Sequence, residues 1–483
     1  MHIQTLKSPN SCNKSSLQSP FVREILDFSP HHRKKPNPNP HFPPFSLSCK
    51  NCKTIAIAVS KNRPNSYKVS DPRLDDGRGV SKVADVATLG NLCVDVVLNV
   101  PSLPPASFEE RKAYMERLAA SRPDKKYWEA GGNCNLAIAA ARLGLHCVAL
   151  GHVGDEIYGR FLLDVLHEEG IGMVGMNEDT EAASSASYET LLCWVLVDPL
   201  QRHGFCSRAD FCKEPAFSWM CKLSAKVHMA IKQSKILFCN GYVFDELSPG
   251  LIISALECAI DVGTAIFFDP GPRGKTLLHG TPEQQKAVKS FLRMSDVLLL
   301  TADEAESLTG IANPITAGEE LITKGLRTKW VIIKMGSKGS ILITTSRICC
   351  APAFKVDVVD TVGCGDSFTA AVVFGFLHGV PHVNTLTLAN AVGAATATGC
   401  GAGRNVANLD KVLELLRASN LNEDEQLWNK LLDQNPDTPE IVLLSKTVIN
   451  GSRDRLARVS IQKVVSELLP KLETVRERRI VPS

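Results

Sequence analysis

From Val83 onward, short runs of β-branched and aliphatic residues alternate with longer Ala- and Leu-rich stretches. Val83–Val97 predicts a strand broken at Gly90-Asn91. Asn135–Leu143 (NLAIAAARL) is a run of strong helix formers stopped by Gly144. Cys147–Val153 reads as a strand and Tyr158–Glu169 as an amphipathic helix ended by Gly170. Further strands are predicted at Ile236–Asn240, Thr264–Asp269, Val297–Thr301 and Trp330–Met335, each after a helical stretch of about 10 to 15 residues. Such alternation argues for a mostly parallel sheet with helices on both faces, whose ligands lie beyond the carboxyl ends of the strands. One region breaks the rhythm. Ser187–Val197 and Phe205–Phe211 read as two strands joined by the turn Asp198–Gly204, a hairpin suited to a small β lid or to a homodimer contact. Residues 101–130, polar and charged, read as a surface insertion with one short helix.

Composition changes the picture mainly at the N-terminus. The chain has 483 residues, is 44% hydrophobic and 22% charged, and carries a net charge of +3, which is ordinary globular usage and excludes wholesale disorder. No apolar run reaches about 18 residues, so no membrane-spanning helix is expected. Residues 1–70 hold 11 Lys/Arg against two acids, Glu24 and Asp27, together with 9 of the 27 prolines and 11 serines. That basic, Ser-rich, acid-poor segment reads as a disordered transit peptide cleaved near Thr54–Lys61, and its excess of Ser and Pro over Arg favours a plastid (the chloroplast stroma) over a mitochondrion. The rest of the chain is net acidic, with 43 Lys/Arg against 49 Asp/Glu, so no direct nucleic-acid partner is expected.

The 16 cysteines follow no regular framework and read as reduced thiols. Cys49 and Cys52 would leave with the leader, and Cys349-Cys350 reads as part of a buried strand. After Ser419 an acidic break, Asn422–Glu425, leads into a C-terminal extension, 420–483, read as helical. Val442–Val448 with Arg453, Arg455, Arg458 and Lys463 offers either a partner surface or a solvated helix face.

Three glycine-centred clusters carry the chemistry. In Asp360-Thr361-Val362-Gly363-Cys364-Gly365-Asp366-Ser367, the helix-forming run Ser367–Leu377 follows two glycines and a small residue. Backbone N–H groups at such a helix start, with its dipole, favour an anion. Asp366 would stand beside that anion hole, placed to accept a proton from an attacking hydroxyl, which suits phosphoryl transfer. Gly131-Gly132-Asn133-Cys134-Asn135 opens a second helix, where Asn135 can give and accept hydrogen bonds to a polyol. Gly90-Asn91-Leu92-Cys93-Val94-Asp95 puts a carboxylate at Asp95, able to accept from neighbouring hydroxyls. A thiol at a helix N-terminus would have a lowered pKa, which makes Cys364 either a redox-sensitive brake or a tolerated small residue. A dehydrogenase is excluded because no GxGxxG follows the first strand.

These clusters, in this order, resemble the PfkB/ribokinase family of carbohydrate kinases over about residues 83–419. Gly151–Ile171, Phe268–Arg273, Ser295–Glu306 and Lys334–Gly339 add to the resemblance. It implies a ribokinase-like three-layer α/β/α fold with a mostly parallel central sheet and a small β lid. It implies ATP-dependent phosphorylation of a sugar or nucleoside hydroxyl, with Asp366 as base and Gly363, Cys364 and Gly365 as the anion hole. Asp95, Gly132 and Asn135 would contact the acceptor, and Gly336, Gly339, Thr301 and Asn390 the nucleotide. Glu304 would act on Mg2+ through water, and Asp360 on a monovalent cation such as K+. The chain departs from the family pattern at Cys364, Thr301, Gly271 and the short Gly-Gly…Asn spacing. Some plastid members of the family serve in gene expression, so a binding component with a plastid protein partner is the competing class.

Overall fold

The computed structural model describes residues 81–480 except 106, 177–188, 201, 213, 434–439 and 447–455. The leader 1–70, with Cys49 and Cys52, and the basic residues Arg453 and Arg455 lie outside the described residues. The chain forms strands β1 (Ala84–Leu89), β2 (Leu92–Asn99), β3 (Trp128–Gly132), β4 (Cys147–Gly151) and β5 (Gly172–Gly175). Next come β6 (Leu191–Val197), β7 (His203–Ser207), β8 (Ser234–Asn240), β9 (Ala265–Asp269) and β10 (Val297–Thr301). The remainder are β11 (Trp330–Lys334), β12 (Ser340–Ile343), β13 (Arg347–Ala351), β14 (Glu440–Ser445) and β15 (Leu456–Ser460).

Eleven of these strands make one sheet in the order β15-β14-β13-β12-β11-β10-β9-β8-β1-β4-β5. Its pairings are parallel except the two made by β12. The inner strands β1 and β8 to β12 are buried on both faces, as a sheet covered by helices requires. Along β10, Val297 and Leu299 belong to one core cluster and Leu298 and Leu300 to the other. The first cluster packs under the helices Asn133–Arg142, Cys364–Leu377 and His382–Ala397, the second under Pro249–Asp261, Pro282–Met294 and Pro314–Lys324. Helices thus lie on both faces of a mostly parallel sheet, as the alternation predicts.

The sequence reading differs from the structure in four places. The break at Gly90-Asn91 does not merely interrupt a strand: β1 lies in the central sheet, whereas β2 belongs to a second sheet of order β3-β2-β6-β7. The end of the supposed insertion is strand β3, so the second sheet has four strands rather than a hairpin alone. Its hairpin, β6 and β7, ends at Ser207, and Arg208–Phe211 is a 3-10 turn with Asp210 closing a capping box. The segment after 419 is not simply helical: besides the helices Glu425–Asp433 and Ile461–Ile480, β14 and β15 extend the central sheet in parallel from β13. A buried parallel strand reads as a continuous apolar run that periodicity cannot tell from a buried helix. Ile441, Val442, Leu443 and Leu444 are all buried there, so these residues are core and offer no surface, and Val448 lies outside the described residues. Arg458 faces Glu425 at 3.9 Å, and Lys463 is exposed to solvent.

The extension closes the core on both faces. Trp428 and Leu432 join one cluster, and Val464, Leu468 and Leu472 the other. Leu472 is fully buried. Leu472→Ala is therefore expected to cost about 2–5 kcal/mol, against less than about 0.5 for Lys471→Ala on the exposed side of the same helix. Urea unfolding of the two variants checks this, and equal small losses would show that the extension is not part of the core.

Candidate active site

Strands β1, β8, β9, β10 and β11 run parallel, so their carboxyl ends share one edge of the sheet. There Asn240 sits in register with Asp269, and Thr301 with Lys334. The turn Gly90-Asn91, both residues at positive φ (68° and 54°), carries the chain from that edge into the second sheet. Fully buried Asn133 holds the turn: its Nδ2 donates to the carbonyls of Leu89 and Gly90 at 3.0 and 2.6 Å, and its Oδ1 accepts from Asn240 Nδ2 at 2.9 Å. The Asn91 N–H donates to Glu246 Oε2 at 2.6 Å.

Asp95 stands mid-strand on β2, 5% exposed, with its carboxylate seated over Gly131. A Cβ at Gly131 would lie 2.1 Å from Asp95 Oδ1, so a side chain there would have to displace the carboxylate. Burial pushes the Asp95 carboxyl up to about 7; the Cys93 thiol, donating at 3.4 Å, opposes this, while the charges of Asp366 and Glu129 add to it. Asp95, Gly132, Asn135, Glu246, Arg273 and Asp366 help line a cavity of about 280 Å3 between the two sheets. A second cavity, of about 510 Å3, is lined by Lys334, Gly336, Gly339, Phe368, Asn390 and Asn422 among others.

The two cavities meet at the start of the helix Cys364–Leu377. Gly363 and Asp366 face the first, Cys364 and Gly365 the second, and Thr361 both. Gly363 sits at the N-cap with φ 74°, in the left-handed region, and contributes no capping side chain. The N–H groups of Gly365 and Asp366 therefore have no acceptor within the helix. The Cys364 N–H is turned to the Thr361 carbonyl at 3.3 Å, so within the Gly363–Gly365 trio it is the donor already engaged. Burial raises the Asp366 carboxyl to about 6, with Asp269 adding to the rise and Lys334 and Asn135 opposing it.

A family profile described as pfkB family carbohydrate kinase matches residues 84–408. The chain belongs to the pfkB family of carbohydrate kinases. Among similar proteins, probable fructokinase-4 of Arabidopsis thaliana is 26% identical over 304 residues, covering 60% of this chain and 87% of that protein. Fructokinase-1 of Zea mays is 26% identical over 349 residues, 68% of this chain and 97% of that protein. Among solved structures, a putative ribokinase II from E. coli in complex with ATP and Mg2+ aligns with a TM-score of 0.53 and 20% identity, over 70% of this chain and all of that one. Arabidopsis thaliana ribokinase complexed with ribose and ATP aligns at 0.51 and 21%, over 69% of this chain and 98% of that one. The fold of this pfkB member is thus ribokinase-like.

The pfkB motifs converge, but several side chains are engaged within the protein. Asn135 lines the first cavity while its Nδ2 donates to Asp366 Oδ2 at 3.2 Å and its Oδ1 accepts from the Gly403 N–H at 2.7 Å, so it orients the carboxylate. Asn390 lines the second cavity, its Nδ2 donating to the carbonyls of Ala351 and Pro352 and its Oδ1 accepting from the Ser340 hydroxyl. Thr301 and Glu304 stand outside the lining of both cavities and form a capping box: Thr301 Oγ1 accepts from Glu304 N at 3.2 Å, and Glu304 Oε2 from Thr301 N at 2.7 Å. Asp360 spends both oxygens, accepting from the N–H groups of Val362 and Gly401 while His203 Nε2 of β7 lies 2.6 Å from its Oδ1. Burial pushes the Cys364 thiol up to about 12, with Asp360 and Asp366 adding to it, which overturns the lowered pKa a redox brake would need. Cys349 and Cys350 are buried in β13, as expected.

Sequence reasoning missed the charged groups that tertiary contact assembles. Lys334 ends β11 and pairs with Asp269 at 2.6 Å. Burial works against its charge, but Asp269, Glu304 and Asp366 outweigh it and hold its pKa above the ordinary lysine value. Arg273 bridges Asp210 of the second sheet's 3-10 turn and Asp245 beyond β8, at 2.7 and 2.8 Å. Glu246 is 2% exposed, and its Oε1 has no hydrogen-bond partner among the described residues. Burial raises its carboxyl to about 8. A charged residue closing an otherwise apolar strand, as in Trp330–Lys334, is the signal that could have singled out Lys334. Gly131→Ala is expected to lower stability by roughly 1–3 kcal/mol by forcing the Asp95 carboxylate off its seat. Denaturant unfolding checks this, and no loss would mean that the carboxylate is free to move aside.

Proposed function

We propose that this chain transfers the γ-phosphoryl group of ATP to a hydroxyl of a sugar or nucleoside, with Asp366 as the base. The observation that carries this reading is the position of Asp366 at an uncapped helix start where two cavities meet. The acceptor occupies the first cavity, where Asp95 and Glu246 accept from its hydroxyls and Gly132 allows close approach. The nucleotide occupies the second, against Gly336, Gly339 and Asn390. Asn135 holds Asp366 so that its carboxylate takes the acceptor's proton as the hydroxyl oxygen attacks phosphorus and the bond to the ADP oxygen breaks. The N–H groups of Gly363 and Gly365 and the ammonium of Lys334 offset the charge that spreads over the transferred group, while the Cys364 N–H stays with the Thr361 carbonyl. The second sheet, tied down through Arg273 and His203, excludes water from the acceptor.

Asp269 at the end of β9 and Glu304 in the first turn after β10 are carboxylate oxygen donors, the ligand type that a hard divalent cation takes. They would hold Mg2+ through water, and the ion would offset phosphate charge when bound. The Asp360 carboxylate, committed to His203 and two backbone donors, does not fit a monovalent cation, and no step passes through K+. The composition of residues 1–70 supports delivery to a plastid, and a fluorescent protein fused behind those residues should enter chloroplasts in plant cells; cytosolic fluorescence would remove that assignment.

ADP release by the purified chain with Mg-ATP and a panel of sugars and nucleosides tests the transfer. Asp366→Asn is expected to lose about 10²–10⁴ in rate. Because the folded pKa of Asp366 is raised to about 6, the carboxyl is protonated below that value, and kcat should fall as pH drops through it. Lys334→Met removes a charge that lowers this pKa, so the acid limb should move to higher pH. A limb unmoved by either change would take Asp366 out of the base role. A second reading, a kinase-fold binding component of plastid gene expression, draws on the departures at Thr301 and Gly271. ATP binding without turnover on any acceptor would favour it.

A further inference from the structure

We infer that residues 420–423, beyond the stretch 84–408 that the family profile matches, complete the nucleotide cavity, and that Asn422 positions its glycine loop. The inference rests on the assignment of the second cavity to the nucleotide.

The chain leaving the helix Leu409–Ala418 turns back along one wall of that cavity. Lys355 N donates to the Asn420 carbonyl at 2.8 Å, Leu421 forms an antiparallel bridge with Phe354, and Asn422 N donates to the Ala353 carbonyl at 2.7 Å. Ala353, Phe354 and Lys355 line the cavity themselves. Leu421 is fully buried and anchors the segment, which sets the Asn422 side chain at the cavity wall. Its Nδ2 donates to the Ser337 carbonyl at 2.8 Å.

Ser337 lies between Gly336 and Gly339, both at positive φ, in a loop whose own backbone hydrogen bonds join Met335, Gly336, Lys338 and Gly339 to one another. A loop of that kind is not fixed by side-chain packing at its glycines. The Asn422 amide gives it a tie to a wall 85 residues further along the chain. The next residue, Glu423, accepts the Lys446 N–H at 2.5 Å, just past the end of β14. The segment therefore runs from the cavity wall to the added strands of the sheet. Fixing the loop before the nucleotide arrives lowers the ordering cost of binding. The benefit falls on the nucleotide and not on the acceptor, whose cavity lies on the other side of the Gly363–Asp366 turn.

The test is calorimetric titration of Mg-ATP into the full chain and into Asn422→Ala and Asn422→Asp, with thermal unfolding of each without ligand. Both substitutions should weaken Mg-ATP by about tenfold, the size of one lost hydrogen bond, with the acceptor KM and the unfolding temperature unchanged. The near-isosteric aspartate keeps the side-chain volume, so its loss cannot come from a cavity. Unchanged ATP affinity in both variants overturns the inference, as does a loss that falls equally on ATP and acceptor and follows the unfolding temperature. An unaltered chain that binds no Mg-ATP overturns the nucleotide assignment and this inference with it. Binding without turnover counts against phosphoryl transfer alone, since the Asn422 comparison is read from the titration.

Discussion

At the carboxyl edge of the central sheet, the carboxylates of Asp269, Glu304 and Asp366 converge on the ammonium of Lys334, and the arrangement around them depends on that convergence. Burying like charges together is costly without a compensating cation. Lys334 supplies one, and its own burial is offset by the acids it neutralises. The result is an ionisable carboxyl at Asp366 whose pKa stays near 6 although burial and Asp269 would drive it higher. A single residue at the end of one strand thus sets the electrostatic level at the start of the helix 364–377.

The second constraint is the passage between sheets. Gly90 and Asn91 turn the chain out of the central sheet: Asn133 donates to both of their carbonyls, Glu246 accepts from the Asn91 N–H, and the Leu150 carbonyl accepts from the Gly90 N–H. The same turn fixes where β2 starts and therefore where Asp95 falls. Three polar links then tie the second sheet or its turns to the main body: Arg273 with Asp210, His203 with Asp360, and Arg404 with Glu129. Each joins residues far apart in sequence, so the cavity between the sheets is a product of the folded state as a whole.

How much could be read in advance follows from the range of each interaction. The strands and helices around 84–419 were legible because burial on both faces imposes continuous apolar runs, and glycine stops are local. Asp95, Gly132, Asn135 and the 363–366 turn were legible as motifs, and the fold brings them to one place. The partners of Asn135, Asn390 and Asp360 were not, because a side chain shows its chemistry in the sequence but not which neighbour will occupy it. Thr301 and Glu304 show the same limit locally, since an acid three residues past a threonine at a helix start suits a capping box as well as a ligand set. The strands after 439 escaped because a buried strand and a buried helix share one composition.

By itself the sequence determined the mostly parallel sheet covered by helices, the family and the acid at the head of the 364–377 helix. These follow from patterns within a few turns of chain. Only the tertiary structure decided that Lys334 neutralises the acids, that Cys364 is held as a thiol and that the C-terminal segment is part of the sheet and of a cavity wall. Desolvation and charge pairing act through space, and the separations that govern them exist only once the chain has closed on itself.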